Sequence, residues 1–399
     1  MSKIEELIAK YCPDGVEYIP LKDFSDQYSG MTGVSNKWAE NGNCLFIDYM
    51  NVYKNLSVDT QLLKYATVKN LKQNTLKKGD ILFTSASETP DECALASVIE
   101  NEIQDGVFLD DHLFGIRIID EKKKDISPSY LKYAFHSVFF RTQVRKVVRG
   151  VTRNYVSKTD FMNLVIPLPP LPIQEEIVKI LDTFTELQAE LQAELQARQQ
   201  QYQYYQDLLL NKSQFNKQLP IGDLCSIKKG TTPIQKAVQG SFPLVVTSKE
   251  RRSCSDFQFD ANAVCIPLIS SRGHGVASLN HVYYQEGKFA LGNILCAVIS
   301  KDENFLMSKF LYYYLEYAKD YTLVPLMKGG ANVSMHCSDI AKVKIPIPSL
   351  AEQQKIVDIL DRFDTLVNDL SQGLPAEIEA RKQQYEYYRD QLLTFKRKA

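Results

Sequence analysis

Apolar residues recur at three- and four-residue intervals in two separate stretches of the chain. Ile177, Ile180, Leu181, Phe184 and Leu187 form one series, and Ile356, Ile359, Leu360, Phe363 and Leu366 form the other. That spacing puts each set on one face of an α-helix. A Pro-rich strip precedes each helix, at 166–172 and 345–348. Proline cannot sit inside a helix and biases the residue before it away from helical angles, so both strips predict extended lead-ins. The first helix runs on through three tandem units, beginning at Glu186, Glu190 and Glu194, each reading Glu-Leu-Gln-Ala. From Gln174 to about Leu210 such a helix is about 55 Å long at 1.5 Å per residue. Its stripe of Leu187, Leu191 and Leu195 calls for a partner helix, and the second arm is the obvious one. Gly373 and Pro375 predict a kink or break in that second arm.

Residues 1–165 and 212–344 alternate differently. Short β-branched and aromatic runs predict strands at Cys44–Asp48, Asp80–Thr84, Gly115–Ile119, Ala263–Leu268 and Ile294–Ile299. Helical spacing returns at Pro128–Val148 and Met307–Lys319. Each segment reads as an α+β domain with a curved sheet and long loops, the kind of surface that carries recognition.

The two arms are copies of each other. Residues 166–184 and 345–363 agree at 11 of 19 positions, at an offset of 179. Residues 197–210 and 380–393 agree at 10 of 14, at an offset of 183. The second copy therefore carries four extra residues, expected around Gly373-Leu-Pro375. Weaker echoes flank the arms. Pro20-Leu-Lys-Asp23 resembles Pro220-Ile-Gly-Asp223, and Gly30-Met-Thr32 resembles Gly230-Thr-Thr232. Arg149-Gly150 falls opposite Lys328-Gly329, and Asp160 opposite Asp339. Internal repetition implies stacked or symmetric architecture. The expected organisation is domain 1–165, helical region 166–211, domain 212–344 and helical region 345–399. Two long antiparallel helices would form a coiled-coil spacer between the domains, with pseudo-twofold symmetry.

Composition changes this picture little. The 399 residues are 44% hydrophobic and 24% charged, as in an ordinary globular protein, and the length favours more than one domain. No 18-residue apolar run or apolar leader is seen, so a membrane location is not expected and a cytoplasmic one is. The eight cysteines form no Cys-x-x-Cys pair, which argues against a zinc site or a disulfide framework. Net charge is −1, so any contact with nucleic acid must rest on local charge or on partners.

Local charge is present. Arg141, Arg145, Lys146, Arg149, Arg153 and Lys158 fall in one run without an acidic residue. Lys228, Lys229, Lys236, Lys249, Arg251 and Arg252 form a second run, broken only by Glu250. These runs lie among small polar residues suited to phosphate contact and base-edge reading: Thr152 and Asn154 in the first domain, then Thr231, Thr232, Arg272, His274, Lys328 and Asn332 in the second. The alternative is a solvated basic face. Tyr202, Tyr204 and Tyr205 recur as Tyr385, Tyr387 and Tyr388. Three tyrosines within four residues cannot all face one helix partner, so some are candidates for a contact with another protein.

Catalytic signatures are absent. There is no phosphate-binding Gly-rich loop, no nucleophile elbow, no His-Glu-x-x-His and no Asn/Asp-Pro-Pro-aromatic segment. Asp110-Asp111-His112 suggests a metal, but the second copy has no counterpart.

These features resemble the specificity subunits of type I restriction-modification systems. The resemblance rests on the paired Ile-Pro-x-Pro-x-Leu…Gln-x-x-Ile-Val-x-Ile-Leu-Asp-x-Phe segments, the Arg-x-Gln-Gln-Tyr-x-Tyr-Tyr blocks at 198–205 and 381–388, the run Cys12–Tyr18 and the run 79–83. It implies two target recognition domains, each reading half of a bipartite asymmetric site in double-stranded DNA. It also implies two methyltransferase subunits docked on the helical regions, with endonuclease subunits joining them. The chain itself would be non-catalytic and hold no cofactor, and the methyltransferase would bind S-adenosylmethionine. Two other readings compete: a methyltransferase carrying its own recognition domain, and a coiled-coil adaptor or DNA-binding protein that works without such partners.

Overall fold

The structure is a computed structural model that describes residues 3–38, 40–150, 152–211, 217–273, 275–369 and 371–398. It divides into two compact units, one formed by Met1–Glu190 with Ile378–Ala399 and the other by Leu191–Glu377. These units cut across the four segments read from the sequence. Each takes one domain together with stretches of both arms, because the apolar faces of the helices are buried in the domain cores.

The first arm is one helix, Leu171–Leu210, of 40 residues. It starts three residues earlier than the proline pattern predicts. Pro172 lies in its first turn, where a missing N–H costs nothing because no carbonyl precedes it in the helix. The second arm is broken into Leu350–Asn368 and Gly373–Leu392. The gap between them is the site of the four extra residues, just before the expected place. Asp369 holds the turn there by accepting from the N–H groups of Ser371 and Gln372. Ser349 and Glu352 form a capping box that starts the second arm.

In the first unit, strands Ser25–Ser29, Leu113–Ile118, Ile81–Thr84 and Ala96–Val98 form an antiparallel sheet in that order. A second sheet takes the order Val34–Lys37, Lys64–Val68, Cys44–Ile47, Val107–Leu109, and its last pair is parallel. The first sheet's inner face meets the arm helix over a core of Phe83, Phe114, Phe135, Phe140 and Phe161, whose rings mostly meet edge to face. The predicted helix 128–148 is two helices, Pro128–Ala134 and Val138–Val147. Ser137 interrupts them because its hydroxyl caps the second at the N–H of Phe140.

The second unit has the same plan. Strands Cys225–Lys229, Leu295–Ser300, Ala263–Pro267 and Tyr283–Gln285 form its antiparallel sheet. Phe242–Val245 and Lys288–Leu291 supply the parallel pair, and Ser308–Thr322 is its long helix. The short echo at Gly30 and Gly230 is structural. Gly30 N–H donates to Leu113 O at 3.1 Å, and Gly230 N–H donates to Leu295 O at 2.9 Å, at equivalent corners. The duplication therefore extends through the domains in the main sheet and the parallel pair, although the second sheets add different edge strands, Val34–Lys37 in one unit and Phe259–Asp260 in the other.

The identical residues of the arms fasten each arm to its domain. Gln174 is fully buried. Its Nε2 donates to Asp125 O and Pro169 O, and its Oε1 accepts from Ser127 N–H. Gln353 repeats this with Phe305 O, Pro348 O and Met307 N–H. Asp182 accepts from the Tyr133 hydroxyl and Lys132, and Asp361 accepts from the Tyr313 hydroxyl and pairs with Lys309. Both tyrosines are held well above their usual pKa by burial and by these carboxylates.

Candidate nucleic-acid interface

In the first unit the basic run begins on the helix Val138–Val147 and ends in a hairpin. Arg145 and Lys146 lie in the last turn, where cations suit the helix carbonyl end. The chain then turns back, pairing Val148–Arg149 with Asn154–Val156. Gly150 has φ +120, and a Cβ there would lie 2.1 Å from Arg153 O, so only glycine fits. Thr152 and Arg153 at the tip are exposed, as is Lys146. Arg149 is exposed and pairs with Asp160 at 2.6 Å, and Arg145 pairs with Asp91.

The second unit builds the same hairpin from different residues. Lys328 and Ser334 exchange backbone hydrogen bonds of 2.8 and 3.0 Å. Gly329 has φ +140, and its Cβ would lie 2.2 Å from Asn332 O. Lys328 and Asn332 are exposed. Beside it runs the loop that carries exposed Arg272, joined by Ser270 N–H donating to Val333 O at 2.9 Å. His274 lies outside the described residues.

Three candidates have duties inside the fold. Arg141 donates to Asp91 O, Cys93 O and Ala94 O, and burial lowers its guanidinium pKa to about 10. Asn154 is buried and donates to Glu88 O. Arg251 donates to Gln285 Oε1, Lys249 O and Tyr284 O over the Tyr283 ring, and burial depresses it as well. Charge runs on a sequence do not separate a guanidinium that ties down a loop from one that faces solvent.

The second run divides among separate places. Lys228 and Lys229 are exposed at the end of their strand, followed by Thr231, whose N–H donates to Gln258 Oε1, and by Thr232, whose N–H donates to Leu291 O. Lys249 and Arg251 instead line a cavity of about 770 Å³, together with Tyr202, Tyr312, Glu316 and Asp364. Arg252 is exposed on the strand Arg252–Cys254.

The repeated tyrosines separate cleanly. Tyr202 and Tyr205 pack on Phe363, with ring centroids 6.1 and 5.1 Å away. Tyr385 is buried against Tyr133, and Tyr388 stacks on Phe184 at 5.4 Å. Tyr204 and Tyr387, equivalent positions of the repeat, remain 62% and 61% exposed.

Asp110, Asp111 and His112 do converge, with potential ligand atoms within 4.8 Å of one another. The ammonium of Lys37 already sits among them, bonded to Asp110 at 3.1 Å, His112 Nδ1 at 3.0 Å and Asp111. A cation is thus supplied by the chain itself. The lone Trp38 beside it is 58% exposed, packs on Phe46 and lies under Lys64. Sequence reading passed it over because a single aromatic in a loop has no periodic signal. Among the described residues no helix is long and apolar enough to cross a membrane.

Comparison with known proteins agrees with this architecture. The family model for the type I restriction modification DNA specificity domain matches twice, at residues 13–198 and 216–380. A type I restriction enzyme specificity subunit of Haemophilus influenzae is 36% identical over 270 residues, covering 62% of this chain and 68% of its own. One from Escherichia coli is 33% identical over 299 residues, covering 68% and 72%. The crystal structure of a type I restriction-modification S subunit from M. genitalium shares the fold at 14% identity, with a TM-score of 0.58 over 95% of this chain and 96% of that one. Two matched domains with a common main sheet, each fastened to a copy of the same arm, place this chain in the family of type I restriction-modification specificity subunits.

Proposed function

We propose that this chain is the DNA sequence-specificity subunit of a type I restriction-modification complex. Each domain reads one half of a bipartite, asymmetric site in double-stranded DNA. The helical arms set the gap between the halves and dock two methyltransferase subunits, and endonuclease subunits join the assembly. The chain works in the cytoplasm and contributes recognition without chemistry. The methyltransferase supplies S-adenosylmethionine and the methyl transfer to adenine.

The observation that carries this reading is the contrast between frame and loops. The two domains keep one main sheet, one parallel strand pair and one fastening to the arms, down to Gln174 and Gln353, while their loop sequences have diverged. A protein that needed one binding surface twice would have kept its loops alike. Divergent loops on a common frame suit two different half-sites, since base reading depends on side-chain identity. The exposed candidates are Arg145, Lys146, Arg149, Thr152 and Arg153 in the first domain. In the second they are Lys228, Lys229, Thr231, Lys249, Arg252, Arg272, Lys328 and Asn332, with Thr232 half-buried.

The test is methylome sequencing of cells that express this chain with its cognate methyltransferase. The expected result is one motif with two unlike halves and a fixed gap. Exchanging residues 212–344 for those of another family member should change one half alone. A single continuous motif, or none with an assembled complex, overturns the proposal.

A further inference from the structure

The two hairpins described above are the most alike elements outside the arms. Both sit at the arm offset of 179, and both begin with a cation followed by a glycine at positive φ, Arg149-Gly150 and Lys328-Gly329. The clash that a Cβ would meet is the same in each, at 2.1 Å from Arg153 O and 2.2 Å from Asn332 O. The glycine and its contact have been kept although the residues after them differ, Thr152-Arg153 against Ala331-Asn332.

The loop beside each hairpin behaves in the opposite way. In the first unit Ala86–Ser87 pairs with Asn154–Tyr155 and leads into Glu88, Asp91 and Glu92. In the second, Ile269 bridges to Ser334 at the equivalent place, and the loop continues through Arg272. Asp91 is paired with Arg145, and Glu92 accepts from Ser87 and Tyr53, so the loop offers exposed Glu88 in one domain where the other offers exposed Arg272 one residue further on.

Resting on the reading above, we infer that the hairpins carrying Arg149-Gly150 and Lys328-Gly329 hold DNA phosphates, one hairpin at each half-site, while the adjoining loops at 88–92 and 271–273 discriminate bases. Two half-sites of different sequence share only their sugar-phosphate backbone. An element kept alike in both domains, with a cation at one fixed place, fits what the half-sites share. An element whose charge reverses fits what differs, because carboxylates accept from a cytosine amine while Arg donates to guanine O6 and N7. A common protein partner would also be shared, but protein anchors are large buried aromatics or Arg in pockets, and the tip Gly-Gly-Ala-Asn at 329–332 offers none. The exposed pair of Arg149 with Asp160 does not block the role, since exposed ion pairs are weak and exchange readily for phosphate.

The experiment uses the complex assembled with its methyltransferase subunits, a duplex carrying its methylated motif and a duplex with that motif scrambled. Arg149→Gln and Lys328→Gln should each weaken binding to both duplexes by the same factor. Each should also lower the slope of log affinity against log salt by about 0.9, and leave the motif unchanged. Glu88→Gln and Arg272→Gln should relax preference at one half-site each and leave the slope alone. Asp160→Asn, which removes the partner of Arg149 but not its charge, should keep the full slope. Loss of slope in Asp160→Asn equal to that in Arg149→Gln would overturn the inference, because the pair would then only hold the fold. So would a changed motif in the hairpin variants, or normal DNA affinity with lost methyltransferase assembly. If the unaltered complex does not distinguish the two duplexes, the DNA-reading function itself fails, whatever the hairpins do.

Discussion

Gln174→Leu removes a buried amide of nearly the same size and shape while stranding its partners. The carbonyls of Asp125 and Pro169 and the N–H of Ser127 lose bonds of 2.9, 2.7 and 2.9 Å. Gln174 has no exposed surface, so water has no route to replace it. Each stranded buried backbone group costs about 1–3 kcal/mol, and leucine's added apolar contact offsets a part. The expected loss is about 3–5 kcal/mol. For a unit of this size that lowers the melting temperature by roughly 6–20 °C, taking about 2–4 °C per kcal/mol. The lone Trp38 lies in the first unit, so its fluorescence follows that unit's melting. Gln353→Leu strands Phe305 O, Pro348 O and Met307 N–H, at 2.9, 3.0 and 2.9 Å, and should cost as much in the second unit. There the readout is hydrogen exchange. Amides of the helix Ser308–Thr322 should exchange roughly 10²- to 10³-fold faster, at about 1.4 kcal/mol per tenfold. A loss below about 1 kcal/mol in either variant would refute the argument, since it would mean that the amide is not what fastens the arm.

Tyr204→Ala and Tyr387→Ala should leave stability within about 0.5 kcal/mol, because both rings are more than half exposed. Each should weaken methyltransferase assembly at least tenfold in a titration of the purified subunits, and unchanged assembly would remove these residues from the docking surface. Deleting one Glu-Leu-Gln-Ala unit shortens the long helix by about 6 Å. The unit boundary at Glu190 falls within this tandem and Leu187, Leu191 and Leu195 are only half-buried, so neither core should suffer. The gap in the methylated motif should change while both halves stay, and an unchanged gap with intact methylation would sink the spacer argument. Cys337 should be the fastest cysteine to alkylate. Its thiol is pulled down to about 6, mainly by a hydrogen bond from Cys296 and then by Lys229 against the cost of burial. It is also the one cysteine that is not buried, so its thiolate is both favoured and within reach, and its rate should fall as the pH is lowered. Equal labelling of all eight cysteines in the folded chain would contradict this.

The sequence by itself determined the repeat, the arms and the places of five strands, among them Ile81–Thr84 and Ala263–Pro267. Those signals are local. Three- and four-residue apolar spacing states a helix wherever it occurs, and Gln174 and Gln353 are among the letters that recur at the same offset, though their role as fasteners was not visible there. The sequence also marked Arg149-Gly150 against Lys328-Gly329, since only glycine tolerates that backbone. What it could not give was the partner of any side chain. Arg141 and Arg149 sit eight residues apart in one basic run, yet one guanidinium is locked onto the carbonyls of a loop near residue 93 and the other faces solvent. Lys228 and Arg251 belong to one charge run, but one lies on an exposed strand end and the other lines a cavity. The common main sheet of the two domains was equally hidden, because strand pairing depends on burial pattern and register, which many unlike sequences satisfy. Only the tertiary structure decided which tyrosines pack on the arms and which face outward, for that choice depends on where Phe184 and Phe363 arrive from the other arm.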